Sequence, residues 1–177
     1  MKRIVLLAIL AILSFSLPLQ AQDLGGLTWR CSKRVVKYTM ADYNDNVVQD
    51  VRLGTGLVYY NYVYKDVPVD EINFFFHGDN QLTSYIMRSS CKTLEDAEKL
   101  EMEWLDNFAV TYIELKKDSE GYTIYQLRDA LGKFAGVIHI VHIGKRYSVE
   151  YINWDTSDAK ANVDFKDYRD SSADNKE

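Results

Sequence analysis

Three histidines, His77, His139 and His142, are the side chains of this 177-residue chain best suited to hold a metal or to move a proton near neutral pH. Their spacing argues against a shared metal. His139 and His142 stand three apart in a β-rich stretch, which sends their side chains to opposite faces, and His77 abuts the hairpin turn Gly78-Asp79-Asn80. Asp42, Asn44 and Asn46 alternate like the first three ligands of a calcium loop, but Val47 stands where a glycine is needed and Leu53 where the bidentate glutamate would fall. That segment reads as an Asx turn, and neither a metal nor another cofactor is expected.

Covalent and acid–base catalysis have as little support. The chain has no Gly-x-Ser-x-Gly elbow, and Ser84, Ser89, Ser90 and Ser148 occupy ordinary strand or turn positions. Glu114 and Glu150 fall in predicted strands, where acids on the wet face of a half-exposed sheet account for both without a hydrolytic pair. The expectation is a protein that is not an enzyme. Cys31 and Cys91 are not in a Cys-x-x-Cys motif, so redox catalysis is not indicated. In an oxidising compartment the pair is expected to form a disulfide, closing a loop of about 60 residues for roughly 4 kcal/mol in the chain-entropy picture.

The aromatic residues carry the sharper expectation. Simple alternation puts Tyr60, Tyr62 and Tyr64 on one face of a single strand and Tyr59 on the other, while the next strand adds Phe74, Phe75 and Phe76. A sheet with one solvated face should alternate with polar residues. Either a second layer covers these rings or Tyr60, Tyr62 and Tyr64 form a binding surface, for which tyrosine is apt because its hydroxyl stays satisfied when wet.

The elements that would position these residues are mostly strands. Leu27 to Met40 is ambiguous: its cations Arg30, Lys33, Arg34 and Lys37 are at helical spacing, whereas Thr28, Val35, Val36, Tyr38 and Thr39 favour a strand, which is the reading adopted. Strands follow at Leu57–Tyr64, Ile72–Phe76 and Leu82–Met87, with Asp66 to Asp70, including Pro68, as a turn. After Thr93, which can cap a helix, Leu94, Ala97, Leu100, Trp104, Leu105 and Phe108 form one apolar stripe, predicting an amphipathic helix over 93–108. Val110–Leu115, Tyr122–Leu127, Phe134–Ile143 and Tyr147–Trp154 complete about eight strands, the last two joined by a tight turn at Gly144-Lys145.

The fold class expected is therefore α+β: a meander-rich antiparallel sheet with one helix packed on it, or alternatively a lipocalin-like β-barrel, whose opening glycine and tryptophan Gly26-Leu27-Thr28-Trp29 faintly echoes. In architecture alone, a helix across a curved antiparallel sheet resembles the modules of secreted β-lactamase-inhibitor proteins and of PepSY-type propeptides.

Compartment is read from the N-terminus. Lys2 and Arg3, the apolar run Ile4–Leu13 and the small residues up to Ala21 have the order of a secretory signal peptide, predicting cleavage near Ala21 and no stable membrane anchor afterwards. The division expected is a leader over 1–21, one domain over 22–154, and an acidic, disordered tail over 155–177. Losing Lys2 and Arg3 from the 21 cationic residues leaves 19 against 26 acids, a formal charge of −7, which argues against nucleic acid as a partner. The functional expectation is an exported binding module, periplasmic or secreted, that takes a protein partner in the manner of an inhibitor or immunity protein, through its sheet face or its acidic helix. The alternative is a barrel-type carrier of a small apolar ligand.

Overall fold

The computed structural model describes residues 24, 26–50, 52–78 and 80–168; the expected leader lies outside them, as do residues 169–177. Eight strands, β1 (Asp45–Asp50), β2 (Gly54–Tyr64), β3 (Val67–His77), β4 (Gln81–Cys91), β5 (Thr111–Lys117), β6 (Thr123–Arg128), β7 (Phe134–Ile143) and β8 (Arg146–Trp154), form one antiparallel sheet. Their order is β1-β2-β3-β4-β8-β7-β6-β5, so the sheet is open, with β1 and β5 at its edges. This is the α+β sheet expected, and it is not a barrel. Helix α1 (Lys33–Thr39) precedes the first four strands and α2 (Leu94–Phe108) the last four. The chain thus repeats an order of one helix and one four-strand meander, and the halves join where β4 pairs with β8.

Both helices pack on the same face of the sheet, called here the inner face. Helix α2 forms where the apolar stripe predicts it: Thr93 caps it by accepting from the Asp96 N–H (3.1 Å), and Ala97, Trp104, Leu105 and Phe108 are buried against the sheet. Helix α1 corrects the strand reading of Leu27 to Met40. Ser32 caps it, and Val36 and Met40, one turn apart, are its buried residues. The helical spacing of the cations was the better signal, because Lys33, Arg34 and Lys37 occupy its wet side and Lys37 pairs with Asp45. The first of the eight strands is β1, within the stretch that follows the predicted Asx turn.

The β2–β3 hairpin is tighter than predicted. Lys65 and Asp66 both adopt positive φ (49° and 65°), as a two-residue type I′ turn requires, and Pro68 is in β3 opposite Val63. The other face of the sheet, the outer face, is covered at one end by residues that composition assigned to a disordered tail. Asp158 caps α3 (Ala159–Asp164) by accepting from the Ala161 N–H (2.8 Å), and a 3₁₀ turn follows at Lys166–Tyr168. Ala161 and Phe165, four residues apart, bury against the outer face, where Phe165 stacks on Trp154 at 5.0 Å beside Phe75, Ile86 and Ile152. Two anchors at helical spacing hold a segment whose average composition is polar.

Candidate functional site

The two cysteines are unbonded, which corrects the expected disulfide. The Cys31 carbonyl accepts from the Leu82 N–H at the start of β4, whereas Cys91 ends the same strand. Nine residues of strand separate those points by about 30 Å, far beyond the reach of a disulfide. Glu114 and Glu150 are also apart. They belong to strands separated by two others, about 14 Å at the usual spacing, and Glu114 pairs with Tyr125, whose ring packs on the inner face, whereas Glu150 is on the outer face. His139 is buried and His142 is exposed and stacked on Tyr147 at 4.8 Å. Among the described residues no group of three His, Cys, Asp or Glu side chains is arranged to hold a metal.

Tyr60, Tyr62 and Tyr64 do not share a face. Tyr62 (8% exposed) and Tyr64 (1%) point into the inner core, the first against Tyr43 at 5.4 Å and the second edge-on to Phe108 at 4.8 Å. Tyr60 is 48% exposed on the outer face. The cause is Asn61, whose left-handed backbone (φ 54°) shifts the alternation by one residue, so that Tyr59 and Tyr62 both point inward. Asn61 is itself exposed and is one of the residue types that tolerate this conformation.

Tyr60, which precedes the shift, stands at the end of a polar row that crosses the outer face. The register aligns Tyr60 on β2, Glu71 on β3, Arg88 on β4, Glu150 on β8 and His139 on β7. Arg88 ties the row together: its Nε donates to Glu150 Oε1 (2.6 Å) and its Nη1 to Glu71 Oε1 (3.4 Å), which also accepts from Asn73 Nδ2 (3.0 Å). His139 Nε2 lies 3.7 Å from Glu150 Oε2, and Tyr168 covers its ring at 5.2 Å. Burial pushes the Glu150 carboxyl up, but His139 and Arg88 outweigh it and hold the group below its ordinary range. Glu150 is thus a neutralised carboxylate and not a proton donor. Arg88 and the two carboxylates are spent on one another, an arrangement that orders side chains, whereas both ring nitrogens of His139 are enclosed without a hydrogen-bond partner.

Beside this row none of the described elements covers the outer face, and a half-open depression of about 360 Å³ lies there. Tyr60, Glu71 and Arg88 form one wall, and Arg146, Tyr147 and Ile143 at the β7–β8 turn form the other. Sequence reasoning missed Arg88 and Arg146 because nothing in their local context marks them. Only the pairing of β4 with β8 brings residues 62 positions apart, Arg88 and Glu150, into contact.

A third residue missed was Glu101. It sits within the apolar stripe of α2, 7% exposed, with its Oε1 enclosed and without a hydrogen-bond partner. Burial, and then the neighbouring charge of Glu98, push its carboxyl up to about 8. An unsatisfied buried oxygen of this kind costs on the order of 1–3 kcal/mol. In comparisons with known proteins the chain matches no family model, and no curated protein or solved structure matches it significantly.

Proposed function

We propose that this protein is an exported, non-catalytic binding module that holds a protein partner on the bare part of its outer face. The observation that carries the reading is the clustering of Tyr60, Arg88 and Arg146 around one open depression. Tyrosine and arginine dominate the energetic centres of protein interfaces, because each combines broad contact area with fixed hydrogen-bonding groups. The charge row behind them supports the same use. Arg88 is held in place by two carboxylates before any partner arrives, so little ordering entropy is lost on binding.

The test is affinity capture from envelope and culture-fluid fractions with three forms of the mature chain. These are the native protein, the double variant Tyr60→Ala/Arg146→Glu, and Val47→Ala at the far edge on β1. The expected result is one stoichiometric partner held by the native and Val47→Ala forms and lost by the double variant, with all three melting alike. Equal capture by the double variant would overturn the reading.

A further inference from the structure

On the inner face α2 meets the β5–β6 hairpin across another depression, of about 330 Å³. That is near the lower end of small-ligand pockets, roughly 300–1,000 Å³. Glu98, Glu101 and Met102 line it from the helix, and Lys117, Tyr122 and Tyr125 from the hairpin. Glu101 stands four residues from both Ala97 and Leu105, where another apolar side chain would complete the buried stripe. The fold instead places a carboxyl there and leaves Oε1 with no donor to accept from.

The donor that is missing should be a cation. Glu95, Asp96, Glu98, Glu103 and Asp106 on the same helix make the local potential negative, and the helix's own Lys99 is paired with Glu95 at 2.8 Å. Lys117, on the exposed rim, forms no ion pair with Glu101 among the described residues. Tyr122 and Tyr125 add rings, whose π systems attract an ammonium group, and Met102 adds an apolar surface for a carbon chain.

We propose that this pocket binds a primary ammonium group carried on an unbranched alkyl chain, with the Glu101 carboxylate as its acceptor. A free diamine and a lysine side chain of a partner share that chemistry. Their probes are 1,5-diaminopentane and N-acetyl-lysine methylamide, and the controls are 1-pentanol and the Nε-acetylated form of the same lysine amide.

Calorimetric titration of the mature chain at pH 7 should show binding of at least one amine and of neither control. Lysine amide binding would point to a partner's side chain, and binding of the diamine alone to a free amine. Because the empty pocket holds the Glu101 proton until about pH 8, binding at pH 7 should release close to one proton, read from buffers of different ionisation enthalpy. The charged and titratable groups that face Glu101 here are Glu98, Lys117, Tyr122 and Tyr125. Glu101→Gln should weaken the amine at least tenfold and abolish the proton release, while Val47→Ala on the far edge strand β1 should change neither. Failure of both amines to bind at 10 mM, about the weakest affinity worth assigning, would overturn the proposal. So would equal binding by a neutral control or undiminished binding by Glu101→Gln.

Discussion

Replacing Glu101 by glutamine should make the protein more stable at alkaline pH and leave it nearly unchanged at acid pH. The carboxyl titrates near 8 when folded, against a reference value of 4.5. Between those limits the folded chain keeps a proton that the unfolded chain has released, so the wild-type protein loses stability as pH rises across the window and levels off above it. At about 1.4 kcal/mol per pH unit the loss has a ceiling of about 5 kcal/mol. Water at the pocket mouth screens part of the charge, and about 2–3 kcal/mol is the expected loss. Glutamine keeps the shape and cannot ionise, so the difference between the two proteins should grow from near zero at pH 5 to that value at pH 9. Urea denaturation at half-unit pH intervals measures it, with the midpoints read at constant slope. Every other titrating group is common to both proteins and cancels in the difference. Parallel curves from pH 5 to 9 would refute the reasoning, because they would mean that Glu101 is solvated and ionised like a surface acid.

Three further outcomes are expected. Truncating Tyr64 or Trp104 to alanine should cost about 3–5 kcal/mol, whereas Tyr60→Ala should cost less than about 1 kcal/mol in the same denaturant melts, since only the first two are packed in the core. Arg88→Met should destabilise by about 3 kcal/mol at pH 7 by removing the cation that Glu71 and Glu150 share, and the cost should shrink in acid as Glu150, no longer held down by Arg88, takes up a proton, which thermal melts at neutral and acid pH would show. Labelling of the unreduced, unfolded protein should find two free thiols per chain, the count that follows from Cys31 and Cys91 lying at opposite ends of β4.

What the sequence makes legible is whatever depends on local period. Helix α2 could be read because its stripe, its Thr93 cap and its acidic first turn agree, and the β7–β8 hairpin because Gly144 (φ 66°) supplies the backbone its turn needs. Helix α1 was misread because its β-branched and aromatic residues favour a strand, while packing of Val36 and Met40 into the core decides for a helix. Residues 155–168 were misread because two buried anchors are invisible in an average over 23 mostly polar positions. The row around Arg88 could not be read at all. It is built from five strands whose neighbours are set by the β4–β8 junction, a pairing between segments some 60 residues apart.

The surplus of aromatic residues in β2 and β3 posed a choice between a second layer and a binding face, and the sheet divides between them. Phe75 on the outer face is covered by the C-terminal segment, and Phe74, Tyr62 and Tyr64 belong to the inner core. Only Tyr60 is left exposed: it precedes Asn61 and keeps the outward phase, whereas Tyr62 and Tyr64 beyond that left-handed residue turn inward. Had the alternation run on unbroken, Asn61 would have entered the core between Tyr59 and Val63, and Tyr62 and Tyr64 would have faced water. The irregularity therefore buries two rings and leaves the third beside Arg88. A substitution at Asn61 that resists positive φ, such as Asn61→Val, should cost stability and disturb the Tyr60 surface together, whereas Asn61→Gly should preserve both. Stability loss that leaves the capture proposed for the Tyr60 surface unchanged would show that the phase shift serves only the core.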